Sequence, residues 1–320
     1  MTTTELPQLY QAHDDGLMHV AADIAGLQTV LVNLYFIGSP RQWVLVDAGI
    51  PMQASRIIAA AERRFGRGAT PQAIILTHGH FDHVGSLDAL RRHWNVPIYA
   101  HRLEMPYLTG QSAYPPPDPT VGGGLMARSA PLFPRHAYDF RPQMRTLPDD
   151  GRVPGIDGWR WIHTPGHAPG HVSLFRDSDR ALVAGDAFTT QKQESFFAVM
   201  TNTKKVHGPP SYFTIDWDAA RRSVQALAQL EPTVAATGHG LPMSGEALHA
   251  QLTALALHFN ELARPKKGRY VPAPAITDEH GVVSVPPAPA DPLPKIAAGI
   301  VVAGIAGAAI AASMRRRSLR

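Results

Sequence analysis

Apolar and polar positions alternate through residues 17–50 in the manner of antiparallel strands. Val30 to Gly38 is one predicted strand and Gln42 to Val46 the next, with Ser39, Pro40 and Arg41 as the turn. The second strand ends at Asp47-Ala48-Gly49. Apolar residues at helical spacing then predict a helix over 53–65. The short apolar run Ala73 to Leu76 reads as a buried strand. After it, Ser86 to Arg92 reads as a helix with Ser86 as its N-cap. Pro97 to Ala100 is another short strand, ending at His101. This alternation of strand and helix predicts a layered α/β architecture.

Residues 102–150 are less regular. Pro115, Pro116, Pro117 and Pro119 exclude a helix interior, and Gly122 to Gly124 is permissive backbone. A loop this long in a compact domain predicts a functional cover. Strands resume at 159–164, 172–175, 181–184 and 233–237. Helices are expected over 218–230 and from about Gly245 to Leu262. Trp159 and Trp161, at alternate positions, read as strand packing. The expected organisation is a main domain over 1–270, a Pro-rich linker over 271–294 and an apolar, basic-ended tail over 295–320.

Composition narrows the chemistry. With 320 residues, 44% of them hydrophobic, the chain can bury a large core. It has no cysteine, so a disulfide or thiolate ligand is excluded and any metal is held by His nitrogen and carboxylate oxygen. The net charge of +4 resides in the tail. Setting aside Asp291, Lys295, Arg315, Arg316, Arg317 and Arg320 leaves 25 basic and 25 acidic residues. A neutral body gives a nucleic-acid partner no support from bulk charge. The start of the chain shows no basic n-region with an apolar h-region, so a cytoplasmic location is expected.

The candidate chemistry centres on Thr77-His78-Gly79-His80-Phe81-Asp82-His83, directly after the Ala73 to Leu76 strand. His78 and His80 alternate, so both rings can point one way. Asp82 and His83 follow a turn of the chain and can face a second point nearby, an arrangement that suggests two adjacent metal ions. Further acceptors stand at predicted strand ends: Asp47, His167, Asp186 and His239. In open α/β sheets, sites form where strand ends converge.

Five ordered motifs resemble the metallo-β-lactamase-fold hydrolase superfamily. They are Leu45 to Gly49, Thr77 to His83, Thr164 to His167, Ala184 to Ala187 and Thr237 to Gly240, and the resemblance covers roughly residues 17–262. It implies a four-layer αββα sandwich with two divalent cations at one edge. His78, His80 and His167 would hold the first ion and Asp82, His83 and His239 the second, with Asp186 bridging them. Asp47 would orient part of the histidine cluster from behind. Asp82 and Asp186 would act in catalysis, Asp82 with a subsidiary role in steering the nucleophile. Zn2+ is the expected ion, and Mn2+ or Fe2+ also suits such donors. The resemblance implies a hydroxide shared by the two cations that attacks an ester-type carbonyl of a small-molecule substrate.

Within that superfamily, the lack of cysteine and the presence of Asp186 count against a true β-lactamase. No added nucleic-acid-binding domain is evident, and His80 stands where a flavodiiron reductase has Glu. Glyoxalase II-like thioesterases and lactonase-like enzymes remain. The lactonases carry Tyr three positions after the bridging Asp, where this chain has Thr189. Lys266, Lys267 and Arg269 stand roughly where thioesterases grip glutathione, but they border the linker and read as a solvated charge run. The alternatives are a mononuclear iron persulfide dioxygenase, a phosphodiesterase of the same fold and a non-catalytic binding protein. His207 and Tyr212, the latter beside Phe213, are candidate substrate contacts. His171 and His101 are read as structural. The tail from Ile296 to Ala312 would form about 25 Å of helix, short of a hydrocarbon core of roughly 30 Å. In-plane or tail-type membrane association is therefore expected rather than a clean span.

Overall fold

The structure, a computed structural model, describes residues 16–122, 124–192 and 204–289. The apolar tail, and with it the expected membrane association, lies outside the described residues. No helix among the described residues is long and apolar enough to cross a membrane.

Two sheets face each other. The first is seven-stranded: β1 (Met18–Ala21), β2 (Ile24–Thr29), β3 (Val32–Ser39), β4 (Gln42–Val46), β5 (Ala73–Ile75), β6 (Ile98–Ala100) and β7 (Met144–Thr146), lying in chain order. Strands β1 to β4 are antiparallel and β4 to β7 parallel. The second has β8 (Trp159–His163), β9 (Val172–Arg176), β10 (Ala181–Gly185), β11 (Val234–Thr237) and β12 (Met243–Ser244), in the order β12-β11-β10-β9-β8. The β10–β11 pair is parallel because a helix crosses between them.

The period-2 pattern explains the layering. On β3 and β4, Leu34, Phe36, Trp43 and Leu45 pack on one face, while Tyr35, Ile37, Val44 and Val46 pack on the other. The first face meets α1 (Ala54–Phe65) and α3 (Leu87–Trp94) through Ile57, Ala61, Leu87 and Leu90. The second meets the other sheet through Trp159, Leu174, Val183 and Ala236. On β10, Leu182 and Ala184 point outward to α6 (Trp217–Gln229) and α7 (Gly245–Leu257). The result is helix, sheet, sheet, helix, with three apolar cores between four layers.

Three local expectations are modified. Ser86 stands at the N-cap position of α3 but makes no side-chain cap. Its hydroxyl instead donates to the Ile50 carbonyl at 2.6 Å and accepts the Gln53 N–H at 2.9 Å, tying the start of α1 to that of α3. The final helix breaks at His258, and α8 (Phe259–Leu262) continues it. The stretch expected to be a Pro-rich linker carries a hairpin of β13 (Ile276–Asp278) and β14 (Gly281–Ser284). Val282 packs on Tyr107, Tyr114 and Ala168, and its N–H donates to the Ser112 hydroxyl.

Candidate metal centre

Each donor lies just beyond a strand end at one edge of the sandwich. Asp47 follows β4, His78 and His80 follow β5, His167 follows β8, Asp186 follows β10 and His239 follows β11. Asp82 and His83 ride on α2 (Phe81–Val84), a single helical turn that begins inside the motif. The apolar strands bury the backbone up to these points, and the chain then turns away and exposes donors at the rim.

Potential ligand atoms of His78, His80 and His167 lie within 4.8 Å of one another. The same holds for Asp82, His83 and His239, and for His78, His83 and Asp186. Asp186 Oδ2 is 3.4 Å from His167 Nε2, 3.6 Å from His83 Nε2 and 3.1 Å from His239 Nε2. Asp82 Oδ2 is 3.4 Å from His239 Nε2. All are buried except Asp82, which is part-exposed at the opening.

The nitrogens pointing away from the cluster have their own partners. His83 Nδ1 is 2.8 Å from Asp47 Oδ2, and His239 Nδ1 is 2.8 Å from the Leu31 carbonyl. His78 Nδ1 is 3.0 Å from the Thr77 hydroxyl. Each contact holds a ring so that Nε2 faces inward. His78 Nε2, His83 Nε2 and Asp186 Oδ1 are buried yet make no hydrogen bond. Buried polar atoms left in this way are costly unless a ligand satisfies them. Three such atoms in a His and carboxylate cluster fit divalent cations.

The electrostatics agree with that chemistry. Burial, reinforced by neighbouring imidazoles, holds His78 and His80 well below the ordinary histidine range, and burial brings His167 to about 4. These rings are neutral, the form that binds metal. Burial alone would raise Asp186 and lower His83. Their mutual attraction, with His239 beside Asp186 and Asp47 beside His83, reverses both effects.

A family model described as the metallo-beta-lactamase superfamily matches residues 27–239. This chain belongs to that superfamily. Among its metallo-beta-lactamase superfamily relatives, the probable metallo-hydrolase YflN of Bacillus subtilis strain 168 is 49% identical over 245 residues, covering 76% of this chain and 93% of YflN. The probable metallo-hydrolase YybB of the same organism is 30% identical over 209 residues, covering 65% of this chain and 80% of YybB. Among solved structures, the Rm3 metallo-beta-lactamase superposes with a TM-score of 0.53 at 20% identity, covering 76% of this chain and 92% of that one. That likeness concerns the superfamily fold.

Other residues named from the sequence fall in varied places. His171 is fully buried; its Nε2 accepts the Asp186 N–H at 2.8 Å and its Nδ1 meets the Thr164 hydroxyl at 2.8 Å, so it props the Asp186 loop. His101 caps the turn Arg102–Glu104 by accepting the Leu103 N–H. His207 pairs with Thr189 and lines a cavity of about 230 Å³ with Lys192, Val121 and Leu262. Tyr212 is buried in an apolar cluster with Met126 and Phe213, and Leu31, Phe81 and Phe133 pack around it. Within that cluster Phe213 touches the site, its ring 4.7 Å from that of His80. Two buried residues near the histidines carried no motif: Glu104 and Tyr114. The available signal for Glu104 was one acid immediately before the apolar stretch Met105 to Leu108.

Proposed function

We propose that this superfamily member is a dinuclear metal-dependent hydrolase acting on an ester-type carbonyl, in a thioester or a lactone. The observation that carries the reading is the position of Asp186. Its Oδ2 lies within 3.1–3.6 Å of ring nitrogens from both donor groups, His167 in one and His83 and His239 in the other. A carboxylate so placed suits a bridge between two cations. In this reading His78, His80 and His167 hold the first ion, and Asp82, His83 and His239 hold the second. Cations held there would supply an activated water and polarisation of the carbonyl oxygen.

The chain's own groups supply the rest. Asp47 keeps His83 in the tautomer that presents Nε2, and the Leu31 carbonyl does the same for His239. A histidine ring must be free of a proton at Nε2 to act as a ligand, so metal uptake is expected to favour higher pH. Asp82, part-exposed, is placed to steer the attacking group. The wall beside His80 is apolar: Phe213, Phe81 and Phe133 lie ring against ring. Such a wall suits the acyl part of a small ester better than a phosphate.

The test pairs metal analysis with a substrate panel of thioesters, lactones and phosphodiesters. Two ions per chain and turnover of a thioester or lactone are expected, and His80→Ala is expected to lose both metal and rate. One iron per chain with persulfide oxidation would replace this reading. Metal and rate that both survive His80→Ala would show the site to be misassigned.

A further inference from the structure

Glu104 has no part in the donor set, yet it touches both loops that form the first group. It is fully buried. Its Oε2 accepts the backbone N–H of Gly79 at 2.9 Å, between His78 and His80. Its Oε1 accepts the backbone N–H of Gly170 at 2.7 Å, on the loop that carries His167. The Tyr114 hydroxyl donates to Oε2 and also accepts from Gly79 at 2.9 Å. The Tyr114 ring lies 4.6 Å from that of His80, which also lies 4.7 Å from the ring of Phe213. Tyr107 stacks on Tyr114 at 4.0 Å and 13°.

The glycines make this approach feasible. A Cβ on Gly79 would come within 2.7 Å of the Tyr114 hydroxyl, and one on Gly170 within 2.8 Å of Glu104 Cγ. One carboxylate thus joins the loop after β5, in the first sheet, to the loop after β8, in the second. Two N–H groups from separate loops need two acceptor oxygens. A carboxyl group offers both, whereas an amide offers one oxygen and turns a donor toward the other N–H.

From this geometry we infer that Glu104, with Tyr114 as its partner, is a positioning residue that sets the spacing of His78 and His80 against His167. The inference rests on the metal centre proposed above and adds a residue that contacts no metal. Its effect acts through the backbone of the ligand loops, so removing it moves the donor atoms rather than deleting one.

The experiment uses the full chain loaded with Co2+ and, separately, Zn2+. Glu104→Gln keeps the side-chain size and removes one acceptor. Metal affinity is read by competition with a chromophoric chelator, and ligand geometry by the visible d–d spectrum of bound Co2+. Glu104→Gln is expected to weaken both metals by about 10–100-fold, the range for partners that orient ligands, and to shift the Co2+ spectrum. Tyr114→Phe keeps both N–H contacts of the carboxylate and is expected to give a smaller loss and a smaller spectral shift. Wild-type affinity and spectrum in Glu104→Gln would overturn the inference, even with reduced heat stability. If Glu104→Gln does not fold, Tyr114→Phe decides, and wild-type affinity and spectrum there would also overturn it. Wild-type protein that takes up neither metal would remove the proposed centre itself, a distinct failure.

Discussion

Asp47 and His83 are joined by a 2.8 Å contact between Oδ2 and Nδ1, and the same carboxylate accepts the N–H and the hydroxyl of Thr77 at 2.8 Å each. Asp47 therefore anchors the first residue of the histidine motif and aims one of its rings. Its backbone has φ +63°, an uncommon left-handed conformation for a residue other than glycine, beside a cluster that uses its side chain. Asp47→Asn is expected to weaken Zn2+ binding by about 10–100-fold while leaving the far-UV circular dichroism unchanged. Titration calorimetry with Zn2+ checks this; an unaltered dissociation constant would deny Asp47 the orienting role.

Gly238 stands at the closest approach in the site. A Cβ there would collide with Asp186 Oδ1 and lie 2.9 Å from His83 Cε1. Gly238→Ala is expected to displace Asp186 and cut metal content to less than half of wild type. Its mass-spectrometric metal count is the measurement, and full occupancy would show that Asp186 can move without consequence.

Burial pushes the Glu104 carboxyl up to about 7 from 4.5, with contacts from Tyr114, Gly170 and Gly79 opposing part of that rise. An acid whose pKa rises on folding binds more protons folded than unfolded between the two values. Its contribution to stability therefore declines as pH climbs from 4.5 to about 7. Gln does not titrate. In chelator-treated protein, the melting temperature of wild type minus that of Glu104→Gln is expected to shrink between about pH 5 and pH 8. A difference that stays flat, or widens, would contradict the sign.

Phe133 stacks on Phe81 at 5.4 Å and is only half-buried. If the wall receives an acyl chain, Phe133→Ala should raise KM for a long-chain ester by about tenfold, the effect of losing roughly 1.4 kcal/mol of apolar contact. An acetyl ester should change little, and metal content not at all. Equal effects on both esters would mean that the wall does not contact the chain.

How much of this was legible in the sequence depended on how local the cause was. The strand into the histidine motif is visible because Ala73, Ile74 and Ile75 are all buried and the polarity changes abruptly after Leu76. The two-face alternation of Tyr35, Phe36, Val44 and Leu45 likewise follows from the pleat. Glu104 was hidden because its partners are backbone N–H groups 25 and 66 residues away, a relation that no spacing announces. Ser86 misled because capping preference is a local bias, and its hydroxyl found better partners on a neighbouring turn. In the Pro-rich stretch, proline density outweighed the turn at Asp278 to Gly281, where the His280 N–H bonds the Asp278 carboxylate.

The donors are shared between the two sheets: His78, His80, Asp82 and His83 follow a strand of the first, and His167, Asp186 and His239 follow strands of the second. Neither proposed ion could complete its shell from one sheet. A bound cation would act as a clasp across the sandwich, and letting it go would require the halves to part at that rim. The rate at which a chelator strips metal would then serve as a clock for how often the sandwich breathes open.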